Sequence, residues 1–189
     1  MNNHMVFNIF SSILKSPRTG WEVLDKPIGE SKSIGVRIII LLSIIAGLLS
    51  LGGIVVHHNE SANLAFRYFG FTSIKWMLSL YFASYAISKL SKGFKGNLPF
   101  DKTLVIVPVS ASFLVLFSSL TYLIATAQVI LYFLSAVGVV YLYYAFVGLS
   151  GVPKERVPGF LLISLLIFAL IIFILEMVLV IIFSIPVHL

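Results

Sequence analysis

Four sets of residues carry chemical potential: adjacent histidines, a lone glutamate in an apolar run, a lysine near the edge of another, and a file of serines and threonines. The histidines stand in "HHNE", 57–60. A hydrolytic metal site needs two histidines on one helical face with a carboxylate nearby, whereas adjacent residues point in different directions. His57 and His58 therefore read as a solvated loop, since no second ligand cluster exists. The hydroxyls Ser110, Ser112, Ser118, Ser119, Thr121 and Thr126 have no base or oxyanion hole to activate them. They read as packing residues that let helices approach, at about 0.6 kcal/mol per interaction. The chain has no cysteine, no phosphate-binding glycine loop and no pair of aspartates within an apolar run. It is expected to be no enzyme and to need no metal or cofactor.

The glutamate is Glu176, in "FILEMVLVII". An ionised carboxylate at that depth of a bilayer costs several kcal/mol unless paired or protonated. Counted at 1.5 Å per residue, it lies about 27 Å along a helix starting at Pro158. That is the far half of a membrane, so Glu176 is expected to face the bundle interior. Lys75 enters from the same side, about one turn inside a run beginning at Phe71. A Lys75–Glu176 pair, or a water-filled vestibule holding both, is predicted, with His57 and His58 as weaker partners. Two readings follow: a pair that locks two helices together, or a protonatable site in a transport path.

These residues need a scaffold, and composition says of what kind. The 189 residues are 59% apolar and only 11% charged, with a mean hydropathy of +1.07. Ordinary soluble domains are about 25% charged, so this is read as a membrane protein. About 20 apolar residues make one crossing, and five runs qualify: 36–56, 71–90, 103–123, 127–149 and 158–185. Residues 103–149 carry no charge; as one straight helix they would reach about 70 Å, more than twice the hydrocarbon thickness. "TYLIATAQ", 121–128, with two threonines and the chain's glutamine, is the turning point. The two flanking helices are then antiparallel neighbours. The fold class is all-α: residues 1–35 as an N-terminal segment, 36–185 as a five-helix transmembrane bundle.

The net charge of +6 could suggest nucleic acid, but the basic residues sit in connections between apolar runs. Lys15, Arg18, Lys26, Lys32, Arg37, Lys89, Lys92, Lys95, Lys102, Lys154 and Arg156 share one side under five spans; only Arg67 and Lys75 face the other. The positive side is cytoplasmic. The N-terminus is thus expected in the cytoplasm and the C-terminus outside, with a bacterial inner membrane as the setting and no nucleic-acid partner. "MNNHMVFNIF" lacks a basic start, so the first span is expected to be an uncleaved anchor.

Ahead of that span, Met5, Val6, Ile9, Phe10, Ile13 and Leu14 recur at helical spacing and predict a short amphipathic interfacial helix. In the following "SPRTGWEVLDKP", Ser16 with Pro17 and Thr19 with Glu22 fit helix starts, and Trp21 reads as a headgroup-level anchor. The second connection, "SKLSKGFKGNLPFDK", sets Lys89, Lys92, Lys95 and Lys102 among aromatic residues. Such lysines contribute about 1 kcal/mol each against an anionic leaflet. With Lys154 and Arg156 they are predicted to contact anionic headgroups.

Three stretches in this order, "SPRTGWEVLDKP", "SKLSKGFKGNLPFDKTLVIVPVSAS" and "YLYYAFVGLSGVPKERV", resemble the Yip family, five-span membrane proteins first known as partners of Ypt and Rab GTPases. The likeness includes an early proline in the third span, Pro108, and a Gly-Leu pair closing the fourth, Gly148 and Leu149. Eukaryotic relatives carry a long cytosolic arm with an acidic and aromatic "DLYGP"-like stretch, which this chain lacks. It is more similar to compact prokaryotic members, and Rab binding does not carry over. The resemblance implies a bundle that organises membranes, serves traffic or assembles other membrane proteins, with a membrane-protein partner or a homo-oligomer as its company. The alternative is a small channel or secondary transporter with Glu176 in its path.

Overall fold

A computed structural model describes residues 11–13, 15–24, 31–58 and 62–185. Among the described residues, helical turns at 11–13 and 15 are followed by the helices α1 (Ser31–His58), α2 (Ala62–Gly93), α3 (Phe100–Leu120), α4 (Gln128–Ser135), α5 (Val137–Leu149) and α6 (Val157–Phe183). Short 3-10 turns occupy Gly20–Leu24, Ala125–Ala127 and Lys154–Arg156. No strand occurs among the described residues.

Among the described residues, four helical stretches are long and apolar enough to cross a membrane: Lys32–Val56, Phe100–Leu120, Gln128–Leu149 and Lys154–Phe183. The expected run 71–90 lies inside α2, which is not among the four. Arg67, Lys75, Lys89 and Lys92, together with hydroxyls such as Thr72, Ser79, Ser84 and Ser91, dilute its apolar character.

Two principles explain the arrangement. Helices satisfy their own backbone groups, so apolar sequences adopt them wherever water is scarce. Close approach then depends on small residues at the seams. α3, rich in valine and serine, is the central helix, buried along most of its length, whereas α6 buries only a narrow set of its residues. α1 meets α3 at Gly35 and the turn after α3 at Gly53. A Cβ on Gly35 would come within 2.5 Å of the Leu104 carbonyl oxygen, and one on Gly53 would collide with the Tyr122 carbonyl. Pro108 explains the first seam. It has no N–H for the Leu104 carbonyl one turn earlier, and the α1 backbone closes over that freed group where Gly35 leaves room. α3 runs unbroken through Pro108.

The fourth span expected over 127–149 is present as the apolar stretch Gln128–Leu149, but its helix is interrupted, α4 and α5 being parted at Ala136. There the amide of Ala136 bonds to the Phe133 carbonyl (3.1 Å) and that of Val139 to the Ala136 carbonyl (3.0 Å), a local 3-10 tightening. Beside it Gly138 abuts the Ser110 carbonyl, so the break accompanies a close approach of α5 to α3.

Successive limbs of the bundle alternate in direction, with α4 and α5 together forming one limb. Ser50 donates to the Tyr68 carbonyl across α1 and α2 (3.2 Å). Phe71 faces Phe183 and Phe94 faces Phe160 across α2 and α6. The connections 94–99 and 150–156 therefore share one end of the bundle, joined by the Asn97 amide and the Ser150 carbonyl (3.0 Å).

The interfacial helix expected over Met5–Leu14 falls largely outside the described residues. Its described Ile13 is fully buried with Trp21 and Leu24 in the main core. Trp21 is thus corrected from a headgroup anchor to a core residue, 1% exposed. The reason is that the Gly20–Leu24 turn folds against α5 and against residues 12–13, where Gly20 admits the Ser12 carbonyl.

Candidate functional site

Lys75 sits on the face of α2 that also buries Phe71, Thr72 and Ser79; α6 runs antiparallel beside it. The Lys75 ammonium lies 3.6 Å from Oε2 of Glu176. At that length the contact is coulombic rather than a direct hydrogen bond. The ammonium also stands 5.1 Å from the Phe71 ring centre and 5.6 Å from that of Trp76, within cation–π range. Its surroundings therefore offer one full negative charge and two aromatic faces.

The two partners are unequal. The Lys75 side chain is 10% exposed and that of Glu176 50%. The expectation that Glu176 faces the interior is corrected: it stands at a rim. α6 buries a narrow stripe, Phe160, Ser164, Phe168 and Leu179, and Glu176 falls beside that stripe. The pair opens into a crevice of about 240 Å³ walled by Trp76, Tyr122, Tyr132 and Ile172, with Ser118 and Thr121 at its edge. Ser119 and Thr121 spend their hydroxyl protons on the Val115 and Ser118 carbonyls (2.7 and 2.6 Å). The tyrosines were not singled out from the sequence. Tyr122 arrives through the turn after α3 and Tyr132 through α4, so only the fold-back brings them to Glu176.

His57 and His58 close α1; their side chains lie outside the described residues, as do residues 59–61. Among the described residues no group of three or more histidines, aspartates and glutamates could hold a metal ion.

The predicted headgroup contacts all lie at the end of the bundle where the Asn97–Ser150 bond ties two connections. Lys89, Lys92, Lys95, Lys154 and Arg156 are exposed, and Lys102 is half-buried. Lys89 lies 5.4 Å from the Tyr85 ring centre. Lys95 adopts a left-handed backbone (φ 63°) that tightens its turn. Arg67 and Lys75 belong to the opposite half of α2.

Compared with known proteins, the chain matches no family model, no curated protein and no solved structure.

Proposed function

We propose that this chain is a non-enzymatic integral membrane scaffold of Yip type, a five-span bundle with an interfacial N-terminal helix. It organises a bacterial cytoplasmic membrane or assists assembly of other membrane proteins there. The observation that carries this reading is the Lys75–Glu176 pair: the buried cation of α2 is matched by a carboxylate of α6 at 3.6 Å. Such a pair clasps two helices and leaves the outer surfaces free for neighbours.

Counting α2 as the fifth span is supported by its 32 residues, about 48 Å of helix. It lies between α1 and α3, which are both apolar enough to cross, and runs opposite to them. A cytoplasmic N-terminus and external C-terminus are supported by the basic residues gathered at one end. The scaffold's contacts are then anionic headgroups at that end, and a membrane-protein partner or a second copy along the helices.

A second reading, a small channel or secondary transporter, is favoured by one observation: the half-exposed Glu176 side chain lines a crevice with two tyrosines. Gentle extraction, size analysis and mass spectrometry of wild type and Glu176→Gln separate the two. A stoichiometric protein partner retained by both supports the scaffold. A partner-free particle with a small molecule or ion lost from the variant supports the transporter.

A further inference from the structure

At the basic end of α2 a second pocket, about 330 Å³, opens between that helix and the start of α3. Its apolar wall is an aromatic cluster: Phe100 meets Tyr81 and Tyr85 edge-on, with ring centres 5.7 and 5.8 Å apart. Its mouth carries Lys89, Lys92 and Asn97. None of the pocket's lining residues is acidic; Asp101, next in sequence to Phe100, is not among them and is exposed.

The wall formed by the 94–99 connection is held in place before any ligand arrives. Ser88 donates to the Leu98 carbonyl (2.9 Å), the Leu98 amide donates to the Ser91 hydroxyl (3.2 Å), and the Gly96 amide to the Ser91 carbonyl (2.9 Å). The Asn97–Ser150 bond pins the same loop to the next connection. A preformed pocket loses little on binding to the ordering of its own groups.

From the mouth, Tyr85, Phe82 and Tyr81 continue along α2 with 50, 45 and 42% of their surface exposed. One site thus combines two cations at its rim, aromatic rings just below, and an apolar track leading away from the charged end. Those three properties match the three parts of a membrane lipid: phosphate, glycerol backbone and acyl chain. A free phosphate would use only the first.

We infer that this pocket binds an anionic glycerophospholipid. The phosphate lies between the Lys89 and Lys92 ammonium groups, and an acyl chain follows Tyr81 and Phe82. The inference rests on the five-span reading of α2 and is independent of the scaffold role.

Full-length protein in detergent is titrated with phosphatidylglycerol, phosphatidylcholine or inorganic phosphate and followed by native mass spectrometry. Wild type is expected to retain phosphatidylglycerol preferentially. With two lysines contributing at the membrane-surface scale, Lys89→Ala/Lys92→Ala is expected to bind it about 30-fold more weakly. Lys15→Ala/Arg18→Ala removes the same charge from exposed positions without touching the pocket, and should stay within about threefold of wild type. Lys89→Glu/Lys92→Glu should abolish retention while keeping the elution volume of the folded particle. Equal losses in both alanine pairs, equal retention of phosphatidylcholine, or equal binding of inorganic phosphate each overturns the inference. The five-span reading is tested separately: with no native cysteine, single cysteines at Asn63 and Lys95 should label from opposite sides. Opposite labelling without lipid preference overturns the site alone; same-side labelling overturns the five-span reading and the site with it.

Discussion

Cutting the Lys75–Glu176 pair from its two sides should cost unequal amounts. At 3.6 Å, opposite unit charges attract by about 1 kcal/mol in water and about 5 kcal/mol at an effective dielectric of 20. Glu176 lines a crevice that also holds tyrosine, serine and threonine groups, and water there screens the pair to a net coupling of about 1–2 kcal/mol. The orphaned partner decides the rest. Glu176→Gln leaves the 10%-exposed Lys75 without its counter-charge, and an uncompensated buried charge approaches the 3–5 kcal/mol range; with aromatic faces nearby, about 2–3 kcal/mol is expected. Lys75→Met leaves a half-exposed carboxylate that the crevice can hydrate, at about 1 kcal/mol or less. The double variant Lys75→Met/Glu176→Gln removes both charges and should lie closer to Lys75→Met than to Glu176→Gln. Thermal unfolding in one detergent gives the cycle, at about 2–4 °C per kcal/mol for a chain of this size. Equal losses from the single variants, or strictly additive losses in the double, would refute the asymmetry and the clasp with it.

Three further outcomes test the packing. Gly35→Ala should destabilise by about 1–3 kcal/mol in the same assay, because its methyl would sit 2.5 Å from the Leu104 carbonyl. Gly148→Ala should be neutral or stabilising by up to about 1 kcal/mol, since nothing lies within 4 Å of a Cβ there; loss of a co-purifying partner with gained stability would mark Gly148 as a contact surface. Both tryptophans, Trp21 at 1% and Trp76 at 4% exposure, should show blue-shifted emission resistant to acrylamide, and Trp21→Ala should cost about 3–5 kcal/mol.

What the sequence by itself determined was linear. Hydropathy adds along the chain and a helix rises by a constant amount per residue, so the apolar runs, the fold-back after Leu120 and the level of Glu176 on α6 were legible without neighbours. The gathering of basic residues in alternate connections was legible for the same reason. Lateral facts were not. That Trp21 turns inward depends on a 3-10 turn meeting α5, and the break at Ala136 on Gly138 meeting the Ser110 carbonyl, contacts between segments far apart in sequence. Depth arithmetic likewise puts Lys75 near Glu176 but says nothing of azimuth. Whether the lysine or the glutamate is the buried partner follows from which stripe of α6 packs on α2, and only the tertiary structure decides that.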